Sequence, residues 1–134
     1  MTKRPRREGF TLLELLTAMM IIGILAAMAV AMLWRSKDRG YEASMVSDLR
    51  SMVSEQERYF ETNHIYASNL TDLPNPVLSP GVAITVTYAA GDGWAATSIH
   101  PSVEARICGI RVGEAPVSAA PAALETGYVQ CSTE

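Results

Sequence analysis

Glu14 is the side chain whose chemistry most needs explaining. It is the one charged residue in a 25-residue stretch, residues 10–34, that is otherwise apolar or uncharged. About 20 such residues suffice to cross a bilayer as a helix. A carboxylate at the centre of that helix costs roughly 2.5–3.5 kcal/mol on insertion scales. A residue kept at such a cost is a functional-site candidate, and a partner must be sought for it. Cys108 and Cys131 are the other reactive pair. An even pair far downstream of an apolar segment reads as a disulfide in a small exported domain, with two free or buried thiols as the alternative. Closing that loop stabilises by about 3 kcal/mol in the chain-entropy model.

The remaining residues do not assemble a catalyst. His64 and His100 stand outside any H-E-x-x-H spacing, and no G-x-S-x-G, Walker A or G-x-G-x-x-G run occurs. The cysteines lack the C-x-x-C spacing of a redox or zinc site. The sequence therefore points away from an enzyme and calls for no cofactor and no metal. Nucleic-acid binding needs clustered cations. After Arg58 only Arg106 and Arg111 remain, expected as neighbours on one strand face or its edge in an acidic domain. That patch is too thin to argue for a nucleic-acid partner. Trp94 and Tyr88 flank an expected hairpin turn, where core packing is the commoner use of an aromatic and partner contact the rarer one.

The elements that carry these residues are legible from patterning. Residues 1–9 form a leader in which Lys3, Arg4, Arg6, Arg7 and Glu8 sum to +3; without it 7 basic and 13 acidic side chains remain, a net of −6. Residues 10–34 form an apolar helix, and the basic leader favours keeping its N-terminal end in the cytoplasm. Arg35, Lys37 and Arg39 after the helix weaken that signal. Trp34 falls where a membrane interface would lie. Small residues, among them Ala18, Gly23, Ala26 and Ala27, allow close helix approach in an apolar medium.

The helix is expected to continue as an amphipathic half over 41–62. Ala43, Val46, Leu49, Met52, Val53, Tyr59 and Phe60 recur at helical spacing with Met45 beside them, and Asp48, Arg50, Ser51, Glu55, Glu57, Arg58 and Glu61 lie opposite. One helix over 10–62 would be about 80 Å long at ~1.5 Å per residue. Residues 63–66 end it, and 67–81 carry the Pro, Asn and Gly of a loop. An alternating β-branched run at 82–88, a Gly91-Asp92-Gly93 turn and a return at 94–100 read as a hairpin. A third strand is expected within 103–112, a loop over 113–125, and a last short strand or tethered tail at 127–131. The fold class is α+β: one long N-terminal helix packed on a small antiparallel sheet. The chain divides into a leader, 1–9, a membrane or filament-core helix, 10–34, and a domain outside the cytoplasm, 35–134.

Gly9-Phe10-Thr11-Leu12-Leu13-Glu14-Leu15-Leu16, behind a basic leader and ahead of a long apolar run, resembles the processing site of type IV prepilins and pseudopilins. The resemblance is specific over residues 1–34 and looser beyond. It implies cleavage between Gly9 and Phe10 by a prepilin peptidase that also methylates the new N-terminus, Phe10. It implies that Glu14 meets the α-amino group of a neighbouring subunit during filament assembly; an ammonium and a carboxylate buried together cost far less than either alone. Implied partners are that peptidase and methyltransferase, copies of the chain itself, other pilin-type subunits and an inner-membrane assembly platform. The implied location is the bacterial inner membrane, single-pass with the C-terminus outside the cytoplasm, and then a surface pilus or a periplasmic pseudopilus. Cys108 and Cys131 resemble the disulfide-bounded C-terminal segment of many pilins. One departure is Ala31, which stands where many type IV pilins carry a helix-loosening proline; no proline occurs between Pro5 and Pro74.

Adhesion, twitching motility, DNA uptake and type II secretion all use such subunits. Some pseudopilins hold calcium in a C-terminal loop, but Asp92, Glu125 and Glu134 are isolated here, and calcium takes six to eight oxygens. That tilts the reading toward a type IV pilus subunit, with a type II secretion pseudopilin as the alternative. Two other readings remain open. A signal peptide cut after Ala29 or Ala31 would release a secreted domain, and an uncleaved helix would be a plain anchor.

Overall fold

The computed structural model describes residues 9–132 of the chain. The leader residues before Gly9, and Glu134 at the other end, lie outside the described residues. The structure divides into two compact units, one ending at Ser36 and one running from Lys37 onward.

The first unit consists of the N-terminal part of helix α1, which as a whole spans Leu12–Asn63. Backbone helix is continuous past position 31, because no proline there removes an amide or clashes with the preceding turn. Every large apolar side chain described between Phe10 and Trp34 is more than half exposed. By length and composition this stretch can cross a membrane.

In the second unit the rest of α1 carries the spine of a core. Met45, Leu49, Met52 and Gln56 are buried in a row spaced by three or four residues. The seam is thus centred on Met45, which pattern alone put beside it, and Ala43 is left exposed. The helix stops at His64, whose φ of 57° is left-handed. Its N–H donates to Phe60 O at 2.8 Å, closing the last turn in the manner usual for glycine or asparagine.

Four described strands follow in the antiparallel order β1-β2-β3-β4: Ala83–Ala89, Gly93–Ile99, Cys108–Gly113 and Gln130–Cys131. The hairpin falls where alternation placed it, with the bounds of its first strand one residue later and those of its second one residue earlier than expected. A bulge between Val86 and Tyr88 takes up an irregularity in the β1–β2 pairing. Strand β2 is covered on both faces. Trp94 and Ala96 join the cluster of Met45, Leu49, Met52 and Ile110. Ala95 packs instead with Ala115, Ala120 and Ala123. The Ala- and Pro-rich segment 113–125 is therefore a loop, as its composition indicates, and a lid on the second face of the sheet. Small side chains let it lie close: a Cβ on Gly109 would stand 3.2 Å from the Ala120 methyl.

Polar side chains fasten the loops to this frame. The Gln56 amide forms two bonds with the backbone of Ala67, accepting from its N–H at 2.8 Å and donating to its carbonyl at 2.9 Å. Asp48, expected on the solvated face, is buried; it accepts from Ser79 N–H at 2.7 Å and from Ser79 Oγ at 2.9 Å. Its burial is tolerated because both carboxylate oxygens are bonded. Arg111 is buried on β3 and donates to the carbonyls of Ala123, Ala115 and Leu124 at 2.6, 2.9 and 2.5 Å. Cys108 and Cys131 are joined as a disulfide that ties β4 to β3.

Candidate functional site

Gly9 and Phe10 are exposed and precede α1. Thr11 caps the helix. Its hydroxyl accepts from Glu14 N–H at 3.2 Å, while its own N–H and Oγ donate to Glu14 Oε2 at 3.0 and 2.9 Å. This reciprocal arrangement is a capping box, and it satisfies amides that the first helical turn leaves without intrahelical partners. Its signature in the sequence is T-x-x-E, Thr11 to Glu14, ahead of an apolar run. Thr17 Oγ donates to the carbonyls of Leu13 and Glu14 at 3.1 and 3.0 Å, so its hydroxyl is also satisfied within the helix.

The cap fixes where the carboxylate sits. Glu14 is folded back toward Thr11, one residue from Phe10. Both of its bonds from Thr11 go to Oε2. A carboxylate has four lone-pair sites, so a further donor can be accommodated without breaking the box. Around it the helix presents only apolar side chains and the hydroxyls of Thr11 and Thr17.

A model described as the prokaryotic N-terminal methylation motif matches residues 4–30. That match falls on the same segment whose residues resemble a prepilin processing site. The chain is 32% identical over 92 residues to type II secretion system core protein G of Klebsiella michiganensis, covering 69% of this chain and 65% of that protein. It is 31% identical over 80 residues to the protein of the same name from Escherichia coli K12, covering 60% of this chain and 55% of that one. It is 30% identical over 89 residues to the type IV major pilin protein PilA of Myxococcus xanthus, covering 66% of this chain and 40% of that one. The chain thus spans less than two thirds of the length of these relatives. One of these relatives is thus named as a secretion-system core protein and another as a major pilin.

The other residues singled out in the sequence are placed apart from the cap. The cysteines close the C-terminal segment. His100 is buried, stacks on Tyr41 with ring centroids 4.3 Å apart and accepts from Ser102 N–H at 3.1 Å. His64 ends the helix, so the two histidines serve local structure. Arg106 and Arg111 do not form one patch: Arg106 lies before β3 and pairs with Glu42 on α1, whereas Arg111 is buried under the loop. Trp94 is fully buried in the core. Tyr88 is half-buried, and its hydroxyl donates to Asp92 at 3.3 Å. Its pKa is raised, first by burial and then by the Asp92 charge.

Proposed function

We propose that the chain is a prepilin cut between Gly9 and Phe10, methylated on Phe10 and assembled through its apolar helix into a filament. The observation that carries this reading is the capped Glu14 one turn inside an exposed apolar helix. An apolar surface of that kind needs a bilayer or other helices around it, and a carboxylate in such surroundings needs a cation. Cleavage after Gly9 creates an ammonium at Phe10, and a neighbour's Phe10 would supply the cation to Glu14. Filament contacts of this type are heterologous and do not close, so one face meets a different face of the next copy. The partners we propose are a prepilin peptidase with methyltransferase activity, copies of this chain and related subunits, and a membrane assembly platform.

Two assemblies fit. The relatives named as type II secretion core proteins favour a periplasmic pseudopilus. The relative named as a major pilin supports a surface pilus as the second reading. In both, the mature chain is a single-span protein with residues 35–134 outside the cytoplasm before assembly. N-terminal sequencing and intact mass of chain recovered from membranes and from sheared surface material test this. The reading expects Phe10 as the first residue, one methyl group heavier than the bare chain. A start at Met1 or Thr2 would make it a plain anchor, and a start at Val30 or Met32 an ordinary secreted domain.

A further inference from the structure

Several of the cations that follow residue 9 come close behind the apolar stretch, with Asp38 and Glu42 among them. Seven basic side chains follow residue 9, and three of them, Arg35, Lys37 and Arg39, come directly after the apolar stretch. A fourth, Arg106, is brought to the same end of the domain by its ion pair with Glu42, 64 residues away in sequence. Of the other three, Arg50 is exposed farther along α1, Arg111 is buried among carbonyls and Arg58 pairs with Glu55 at 2.8 Å. The acids Glu57 and Glu61 lie near the other end of α1. Between Arg39 and Arg106 runs an open groove of about 550 Å³ with Glu42, Ala43 and Val46 along it.

Resting on the reading that residues 10–34 occupy a bilayer, we propose that Arg39 and Arg106 bind the phosphate of an anionic phospholipid in the leaflet facing the domain. The position fits. The polar layer on each side of the hydrocarbon is about 5–7.5 Å deep, and Arg39 follows Trp34 by only five residues in the sequence. The chemistry fits as well. A guanidinium offers five donors in a planar fork suited to phosphate. Arg106 spends part of its fork on Glu42 and keeps a side chain 36% exposed. Glu42 holds that guanidinium in place and limits the groove to a single net positive charge with Arg39, enough to take one phosphate monoanion. Cations directly after a span also oppose the orientation that a basic leader favours, and contact with lipid phosphate offsets that placement. The site would hold the foot of the domain at the membrane until the subunit is extracted into a filament.

The test uses the full chain in bilayer nanodiscs of phosphatidylcholine carrying spin-labelled phosphatidylglycerol or spin-labelled phosphatidylcholine. The preference of the protein-contacting lipid population for phosphatidylglycerol is read by electron paramagnetic resonance. Arg39→Gln together with Arg106→Gln should lower that preference roughly fivefold or more, fivefold being the factor for ~1 kcal/mol per surface cation. Arg39→Gln alone, an exposed helix substitution, should give an intermediate loss even if Arg106→Gln unsettles the loop. Arg50→Gln, farther along the helix, should leave it unchanged. An unchanged preference in the double variant, or an equal loss in Arg50→Gln, overturns the site. Neither outcome touches cleavage at Phe10 or filament yield, so failure here is distinct from failure of the filament reading.

Discussion

The first 25 residues of α1 and the domain that begins at Lys37 use apolar side chains in opposite ways. In the first, Leu, Ile and Met cover the helix all round and bury nothing of their own. In the second, a narrow row of Met45, Leu49 and Met52 is matched to Trp94 and Ile110, and buried polar groups are bonded to backbone. One region leaves its apolar side chains exposed, and the other completes its own packing. Substitutions should therefore act on different observables in the two regions: assembly and membrane insertion in the first, folding stability in the second.

The largest effect should come from Trp94→Ala, which removes the biggest fully buried side chain. We expect a loss of about 3–5 kcal/mol in urea unfolding of the domain, whereas Leu25→Ala should leave that transition in place. Equal losses would erase the contrast. Next, Cys131→Ser should cost about 3 kcal/mol by freeing the 23-residue segment that the disulfide closes. Arg111→Met should cost about 1–3 kcal/mol, because three carbonyls lose their charged donor. The loss should show as amide exchange in 114–125 ahead of the rest of the domain.

Smaller still, Thr11→Val should cost about 1 kcal/mol of helix N-terminal stability. It would be read as faster amide exchange in the first turn, with the core transition unmoved. The smallest effect concerns Tyr66, whose pKa is raised above 10.0 by burial first and by Glu57 second. A raised folded value means that the neutral phenol is favoured in the fold. Its contribution is present below the unfolded tyrosine value and is lost as pH rises through the folded one. Alkaline titration of stability should show this loss in the parent chain and less of it in Tyr66→Phe.

What could be read from sequence followed from periodicity and from local motifs. The long helix, the hairpin at residues 82–100 and the cysteine pair all announced themselves within a few residues of chain. Asp48 did not: its partner Ser79 lies 31 residues away, and nothing near Asp48 says that its side of the helix will be covered. Gln56 and Ala67 are the same case at shorter range. Arg111 read as a surface cation because charge normally implies solvent, and only the loop folding over the second face of the sheet supplies its three carbonyls. Met45 was displaced from the centre of the seam because a pattern fixes the period of a helix more firmly than its phase. At the N-terminus the reverse held. The capping box of Thr11 and Glu14 is written in four consecutive residues, and the same carboxylate also has the chemistry of a buried counter-charge.

Glu14 therefore has an observed role, the cap within its own helix, and a proposed one, the counter-charge for a neighbour's Phe10, and the two must be separated. Filament yield from cells producing Glu14→Ala, measured beside Thr11→Val and with N-terminal sequencing of each membrane-extracted chain, tests the central claim most directly. The account predicts that both variants insert and are cut before Phe10, that Thr11→Val still yields filaments, and that Glu14→Ala yields few or none. Normal filament yield from correctly processed Glu14→Ala would contradict it and leave Glu14 as a helix cap alone.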